Sequence, residues 1–149
     1  MKKDFQLPSA NAMLPKQIRV LHVDDEPADL EITRVFLRRE GKYDFEIVSV
    51  LSAEEALKRL KEERFDVIVS DYKMSGMSGL ELLEELRCNG NTVPFILFTG
   101  KGGEVVKKAA FNMGADIYIA KNGGPANQCS ELARTIRGLA NELSLEKKV

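Results

Sequence analysis

Apolar residues in this chain fall into two patterns that alternate from residue 18 to about residue 143. The first pattern is a short apolar run rich in β-branched residues, which is typical of a strand. The middle runs are apolar at consecutive positions, as in strands that are buried on both faces of a parallel sheet. Strands are predicted at residues 18–23, 45–50, 66–70, 94–99 and 116–120.

The second pattern places apolar residues at helical spacing after these runs. Two predicted helices start with a Ser followed three residues later by a Glu, at Ser52 and at Ser78, which is the spacing of a capping box. The predicted apolar faces are Leu30, Thr33 and Leu37; Ala53, Ala56, Leu57 and Leu60; Leu80, Leu83 and Leu86; Val106, Ala109, Ala110 and Met113; and Cys129, Leu132, Ala133, Ile136, Leu139 and Ala140. Strand and helix alternating five times predict an α/β fold, a doubly wound five-stranded parallel sheet with five helices and right-handed crossovers.

Composition narrows the class of protein. Of the 149 residues, 44% are hydrophobic and 30% are charged, which fits one globular domain. A formal net charge of -1 gives no bulk attraction to nucleic acid or to an anionic membrane. Two cysteines are too few for a disulfide scaffold, and no apolar run has the length of a membrane span or of a signal peptide. We therefore expect a cytoplasmic protein without a direct nucleic-acid or membrane partner.

The chain divides into three predicted segments. Residues 1–17 are polar, contain Pro8 and Pro15, and are expected to form a flexible N-terminal extension. Residues 18–143 hold the predicted domain, and residues 144–149 form a C-terminal tail. The sequence after the last predicted helix is too short for a DNA-binding or enzymatic output domain. We therefore expect either a stand-alone domain or a segment of a longer protein.

Candidate chemistry collects at the strand ends, because ligands of an open parallel sheet bind beyond the carboxyl ends of its strands. Asp24 and Asp25 follow the first predicted strand, and Asp71 follows the third. Thr99 ends the fourth strand and Lys121 follows the fifth. Taken singly, each residue is more often a helix cap, a strand end or a solvated side chain. Their convergence on one edge is what favours a functional site.

Three neighbouring carboxylates repel one another unless a cation joins them. Mg²⁺ suits such a group, because it binds hard oxygen ligands and leaves positions for phosphate oxygens. A carboxylate beside such a cation can attack phosphorus and form an acyl phosphate. A lysine ammonium and a threonine hydroxyl can each hold a phosphoryl oxygen, and Lys121 and Thr99 supply them here.

From residue 18 to about residue 143, the sequence closely resembles the receiver domain of two-component response regulators. The matching residues are Asp24, Asp25, Asp71, Thr99 and Lys121, with further matches at Met74 and Gly79 in DYKMSGMSG and at Tyr118. The resemblance implies a CheY-like, flavodoxin-like fold with strand order 2-1-3-4-5.

The same resemblance implies a role for each site residue. Asp71 is implied as the phosphoacceptor, with Thr99 and Lys121 holding the phosphoryl group. The implied Mg²⁺ ligands are Asp25, Asp71 and the backbone carbonyl of Lys73, with Asp24 acting through water. Thr99 and Tyr118 are implied as switch residues whose positions follow phosphorylation.

The resemblance also implies partners. The phosphodonor would be a phosphohistidine of a sensor histidine kinase or of a phosphotransfer protein. The signal would pass to a downstream effector protein or to an output domain outside this sequence, and a phosphorylation-dependent homodimer is compatible with it. Such domains are phosphoacceptors rather than enzymes, apart from self-catalysed phosphorylation and dephosphorylation.

Two positions depart from the family pattern. Ser75 follows Met74 where the family usually has Pro, and Asn122 follows Lys121 where the family usually has a cis-Pro. Because a cis bond before a non-proline residue costs about 3 kcal/mol, we expect a trans bond between Lys121 and Asn122.

Lys73 and Lys101 each lie two residues past a motif position. Our hypothesis is that they rim the phosphorylation pocket and modify how fast water reaches Asp71. The alternative is two solvated lysines with no such effect.

Other functions stay open at this point. A pseudo-receiver would bind a partner without phosphorylation, and only Ser75 and Asn122 leave room for it. A phosphohydrolase or phosphotransferase of the haloacid-dehalogenase-like class would have a DxD after its first strand, whereas the two acids here are adjacent. A flavodoxin-like cofactor binder would set a phosphate against acids that repel it in the absence of a metal.

Overall fold

The computed structural model describes residues 17–41 and 44–148. The extension predicted at residues 1–17 therefore falls, apart from Gln17, outside the described residues. The elements in chain order are β1 (Ile18–Val23), α1 (Pro27–Glu40), β2 (Phe45–Val50), α2 (Ala53–Glu62), β3 (Val67–Ser70), α3 (Gly79–Cys88), β4 (Phe95–Thr99), α4 (Gly103–Met113), β5 (Ile117–Ala120) and α5 (Pro125–Lys148). Helix α5 continues to Lys148, through most of the segment treated above as a tail; the division into three segments stays a prediction.

The five strands form one parallel sheet in the order β2-β1-β3-β4-β5. This confirms the doubly wound α/β sheet predicted from the alternation and the strand order implied by the resemblance. Because β1 and β3 are adjacent and run parallel, the residues that follow them lie at neighbouring positions of the same edge.

Three strands begin one residue later than the apolar runs predicted. In two of them an aspartate precedes the strand, and its backbone N–H and its carboxylate both bind the neighbouring strand. The Asp66 carboxylate accepts a hydrogen bond from Arg19 N–H at 2.7 Å. The Asp116 carboxylate accepts one from Phe95 N–H at 2.9 Å. These carboxylates bind amide groups at the amino edge of the sheet.

The sheet has a separate hydrophobic core on each face. Leu21 and Val23 pack with residues of α2, α3 and α4 on one face, and Val20 packs with residues of α1 and α5 on the other. Buried strand positions therefore face both layers, which explains the continuous apolar runs. In the part of the chain that the structure describes, no helix is both long and apolar enough to cross a membrane.

The two predicted capping boxes are formed to different extents. At α3 the box is complete: Ser78 Oγ accepts a hydrogen bond from Glu81 N–H, and the Glu81 carboxylate accepts one from Ser78 N–H. At α2, Ser52 Oγ accepts from Glu55 N–H, but the Glu55 carboxylate reaches the N–H of Leu51 instead. The α3 cap fixes the helix that begins directly after the Asp71 loop.

Candidate functional site

The carboxyl edge of the sheet brings together side chains from three different strand ends. Asp24 follows β1 and is fully buried, Asp71 follows β3, and Lys121 follows β5. Lys121 Nζ donates a hydrogen bond to Asp24 Oδ2 at 3.3 Å and lies 3.8 Å from Asp71 Oδ2. The ammonium also lies 4.9 Å from the centre of the Phe98 ring, which packs below it. One cation is therefore shared between two of the predicted carboxylates.

The Asp24 carboxyl has little access to water, and this sets its charge state. Burial raises the pKa of Asp24 to about 6, and the nearby Asp71 charge acts in the same direction. Two contacts oppose the rise in this pKa: the Glu26 N–H, which donates to Asp24 Oδ1 at 3.0 Å, and the Lys121 ammonium. These two contacts stabilise the negative charge of Asp24 although the carboxylate is buried, as expected of a site that binds a cation.

Asp71 presents its two oxygens to different neighbours. Oδ1 accepts a hydrogen bond from Tyr72 N–H at 2.7 Å, whereas Oδ2 lies on the Lys121 side. The side chain is 15% exposed, so it is partly open to the cleft. Position 79 requires glycine, because a Cβ there would lie 2.1 Å from the Asp71 carbonyl oxygen. The first residue of α3 therefore packs directly on the aspartate's own peptide.

Asp25 is partly buried and lies beside the loop between β3 and α3. Its Oδ2 accepts a hydrogen bond from the Ser75 N–H at 2.8 Å. Among the described residues, the carboxylates with oxygens within 4.8 Å of one another are those of Asp24, Asp29 and Asp71, so Asp25 stands outside this group. The predicted acidic pair thus splits, with one member facing Lys121 and the other facing Ser75.

Asp29 is the site residue that the sequence interpretation missed. It lies in the first turn of α1, with Oδ2 3.9 Å from Lys121 Nζ. An acid in the first turn of a helix is common because the helix dipole favours it, so the position carried no separate signal. Its position four residues after Asp25, near the acidic pair, was the available hint.

A cleft of about 410 Å³ opens at this edge. Its lining residues are Asp25, Glu26, Asp29, Asp71, Lys73, Met74, Ser75 and Lys101. The two lysines thus lie at the predicted rim, and both are exposed. The donor set is made of carboxylate and carbonyl oxygens, which are the hard ligands that Mg²⁺ takes. The residues present therefore fit this ion.

The two predicted switch residues line a second cavity, of about 330 Å³, beside the first turn of α4. Thr99 is fully buried and its Oγ1 accepts a hydrogen bond from Lys101 N–H at 3.1 Å. Tyr118 Oη accepts one from Gly103 N–H at 3.1 Å, at the start of α4. A Cβ at Gly102 would lie 2.1 Å from this oxygen, so the close approach of the tyrosine depends on glycine there.

The segment after Lys121 takes a route without a cis bond. No peptide bond among the described residues is cis, which confirms the expected trans bond before Asn122. The Lys121 N–H donates to the Thr99 carbonyl at 2.9 Å, so the end of β5 stays registered on the end of β4. The lysine therefore reaches the acidic group without the family's usual proline.

Comparison with known proteins identifies this arrangement. Residues 20–133 match the family described as the response regulator receiver domain. The chain is 36% identical over 118 residues to the transcriptional regulatory protein YvrH of Bacillus subtilis, covering 79% of this chain and 47% of that protein. It is 35% identical over 104 residues to the two-component response regulator PhoP of Pseudomonas aeruginosa, covering 70% of this chain and 45% of that protein.

A solved structure agrees with these sequence comparisons. The CheY-like receiver domain protein from Methanospirillum hungatei superposes with a TM-score of 0.70 at 31% identity, covering 85% of this chain and 99% of that one. The present chain spans about half the length of the curated relatives that it matches.

Proposed function

The chain belongs to the response regulator receiver domain family of two-component signalling, and from this membership we propose that Asp71 accepts a phosphoryl group from a phosphohistidine of a sensor kinase or phosphotransfer protein. The observation that carries the proposal is the position of Asp71. Its carboxylate borders an open cleft and has Lys121 Nζ 3.8 Å away, in a group with Asp24 and Asp29. This arrangement favours phosphorylation over the alternative of a pseudo-receiver.

In the proposed reaction, Asp71 Oδ2 attacks the donor phosphorus. An O–P bond forms and the P–N bond to the donor imidazole breaks, with its electron pair returning to the nitrogen. The Lys121 ammonium neutralises charge on the transferred group, and the Thr99 hydroxyl donates to another phosphoryl oxygen. To do so, Lys121 has to shift some of its contact from Asp24 towards the new group.

Receiver domains generally bind Mg²⁺ at an acidic pocket. When bound, the ion neutralises the carboxylates and the phosphoryl oxygens together. In this chain the proposed ligands are Asp25, Asp71 and the Lys73 carbonyl, with Asp24 acting through water. Asp29 adds a further negative charge to the same cleft.

We propose that Thr99 and Tyr118 carry the change to the surface. A phosphoryl group adds about -1.5 to -2 units of charge at the sheet edge and draws the Thr99 hydroxyl towards it. The cavity that both side chains line gives Tyr118 room to leave its contact with Gly103. The surface formed by α4 and β5 then has two states, one with Tyr118 in its present place and one with Tyr118 moved. Phosphorylation shifts the equilibrium between them by as much as the phosphoryl group is bound more tightly in one state than in the other.

Response regulators interact with sensor kinases and with effector domains. We propose that this chain likewise binds a sensor kinase and an effector. We also propose a phosphorylation-dependent homodimer and a cytoplasmic location. The proposed effect of Lys73 and Lys101 on water access is supported by their places at the cleft.

The proposal is tested by intact mass after incubation with Mg²⁺ and acetyl phosphate. We expect a single phosphate adduct on the wild-type protein and none on Asp71→Asn. Asp44→Asn, at the opposite edge of the sheet, should keep the adduct. A protein that gains no adduct even with a cognate kinase would be a pseudo-receiver, and continuous phosphate release from many substrates would indicate a hydrolase.

A further inference from the structure

One hydrogen bond joins the two loops that border the cleft. The backbone N–H of Ser75, in the loop between β3 and α3, donates to Oδ2 of Asp25, in the loop between β1 and α1. The two residues are 50 positions apart in the sequence and meet at 2.8 Å. A short bond from an amide to a carboxylate is charge-assisted, so it holds the carboxylate in one orientation more firmly than a neutral contact would.

This bond requires that residue 75 has a backbone N–H. The donor is a backbone group, so most residues could supply it, but proline has no N–H and could not. Proline is the residue that the family usually has after Met74, and this chain has Ser75 there. The contact is therefore a consequence of one departure from the family pattern.

We propose that the Ser75 amide is a positioning group for cation binding: it orients the Asp25 carboxylate and ties it to the loop that carries the Lys73 carbonyl. The inference rests on the proposed function, because it assigns Asp25 and Lys73 to the Mg²⁺ site. With Oδ2 engaged by the amide, Oδ1 is the oxygen that Asp25, a residue lining the cleft, would offer as a single ligand atom. Asp25, so bonded, lies outside the group of Asp24, Asp29 and Asp71.

The loop is held by a second backbone contact just after Ser75. Gly76 follows with φ +78°, which turns the chain away. The next amide, Met77 N–H, donates to the Glu54 carboxylate at 3.3 Å. Two carboxylates from two different elements thus hold the loop by its backbone, and the Lys73 carbonyl lies two residues before the first of these contacts. Loss of the Ser75 contact would free the end of the loop that bears the proposed ligand.

The expected loss of Mg²⁺ affinity depends on how exposed the bond between Ser75 and Asp25 is. Removing a group that orients a metal ligand costs 10–100-fold in metal affinity. Because Ser75 is exposed, water competes for the carboxylate, and we expect the lower end, about tenfold.

The test compares Ser75→Pro with Ser75→Ala. Both substitutions remove the hydroxyl, but only proline removes the N–H. Mg²⁺ alone is titrated into each protein and the dissociation constant is measured by calorimetry. We expect about tenfold weaker binding for Ser75→Pro and wild-type binding for Ser75→Ala. Equal constants for the two variants would overturn the proposal. If both were equally weakened, the loss would come from the hydroxyl, and if both matched the wild-type protein, residue 75 would have no role in binding.

A second measurement needs neither metal nor a proline variant. In the metal-free protein, the amide proton of Ser75 should resonate downfield because it is bonded to a carboxylate. In Asp25→Ala it should move upfield by more than the amide of Gly76 does. An unmoved Ser75 amide would show that the bond is not formed in solution and would overturn the proposal even if Ser75→Pro does not fold.

The two proposals fail in different ways. If the wild-type protein binds no Mg²⁺ and gains no phosphate on Asp71, the proposed function fails. If the wild-type protein does both, while Ser75→Pro matches Ser75→Ala, only the role of the Ser75 amide fails.

Discussion

At the amino edge of the sheet, arginine side chains bind the carbonyl and carboxylate oxygens of neighbouring segments, whereas at the carboxyl edge three carboxylates share one ammonium. Arg87 alone donates to the carbonyls of Asn91, Val93 and Gly114. Arg137 joins α5 to Asp44 and to the Glu40 carbonyl. At the amino edge, arginines thus satisfy loop carbonyls and pair with a carboxylate.

At the carboxyl edge, negative charges outnumber the positive charge beside them. Asp24 is buried with a raised pKa, and Asp29 and Asp71 lie beside it, with Lys121 as the cation they share. Such a group costs stability until a cation or a protein rearrangement relieves the repulsion. The fold is therefore stabilised at one edge and keeps its reactive, unfavourable charges at the other. Substitutions at the two edges should therefore change the free energy of unfolding with opposite signs.

The largest expected effect on stability is at the amino edge. Arg87→Met removes a guanidinium with a side chain only 19% exposed and leaves three carbonyls without that donor. We expect a loss of about 3 kcal/mol in the free energy of unfolding, measured by urea denaturation. Arg59→Met is the matched control, because Arg59 pairs with Glu63 at the surface and should cost less than about 1 kcal/mol. Similar losses for the two variants would contradict this view of the amino edge.

At the carboxyl edge, Asp24→Asn should stabilise the protein in the absence of metal. The pKa of Asp24 lies near 6 in the folded protein against 3.8 for the unfolded chain, a difference equivalent to at most about 3 kcal/mol. Asn keeps an oxygen for the Glu26 N–H but loses the attraction to Lys121, so we expect a gain of about 2 kcal/mol at pH 7.5. Urea denaturation in the presence of EDTA measures it.

The sign of this effect predicts its pH dependence. Because the folded pKa is raised, the folded protein binds the proton more tightly, and the cost of Asp24 is present above pH 6 and fades as the pH falls towards 4. The advantage of Asp24→Asn over the wild-type protein should therefore shrink between pH 7.5 and pH 5. A constant difference over this range would show that Asp24 is not held charged at a cost.

The smallest expected effect comes from a matched pair of exposed aspartates. Asp29 at the carboxyl edge and Asp44 at the amino edge both have side chains 46% exposed. Asp29→Asn relieves repulsion from two carboxylates, which we expect to outweigh its lost interactions with Lys121 and with the helix dipole, and should raise the free energy of unfolding by about 0.5 kcal/mol. Asp44→Asn loses its Arg137 contact and should lower it by a similar amount. Changes of the same sign would break the contrast between the edges.

Much of this architecture was predictable from the sequence because burial leaves a strong pattern. The strands between two helical layers have to be apolar on both faces, and the helix starts carry capping residues such as Ser78. The edge where the site lies follows from strand direction alone. The contact just before β3 was not predictable, since the Asp66 carboxylate binds the Arg19 amide, 47 positions away in the sequence.

The site was predictable to the extent that its residues follow strands. Asp24, Asp71 and Lys121 each come directly after a strand, and the structure brings them together. Asp29 was missed because an acid in the first turn of a helix has an ordinary explanation. Asp25 instead accepts a hydrogen bond from the Ser75 amide, and backbone contacts of this kind leave no trace in side-chain patterns.

The central claim is that Asp71, and no other carboxylate of the group, carries the phosphoryl group. After incubation with Mg²⁺ and acetyl phosphate, borohydride reduction converts an acyl phosphate of aspartate into homoserine, which peptide mass spectrometry locates. We predict homoserine at position 71 only, dependent on Mg²⁺. Homoserine at position 24, 25 or 29, or its absence from a protein that has gained phosphate, would contradict it.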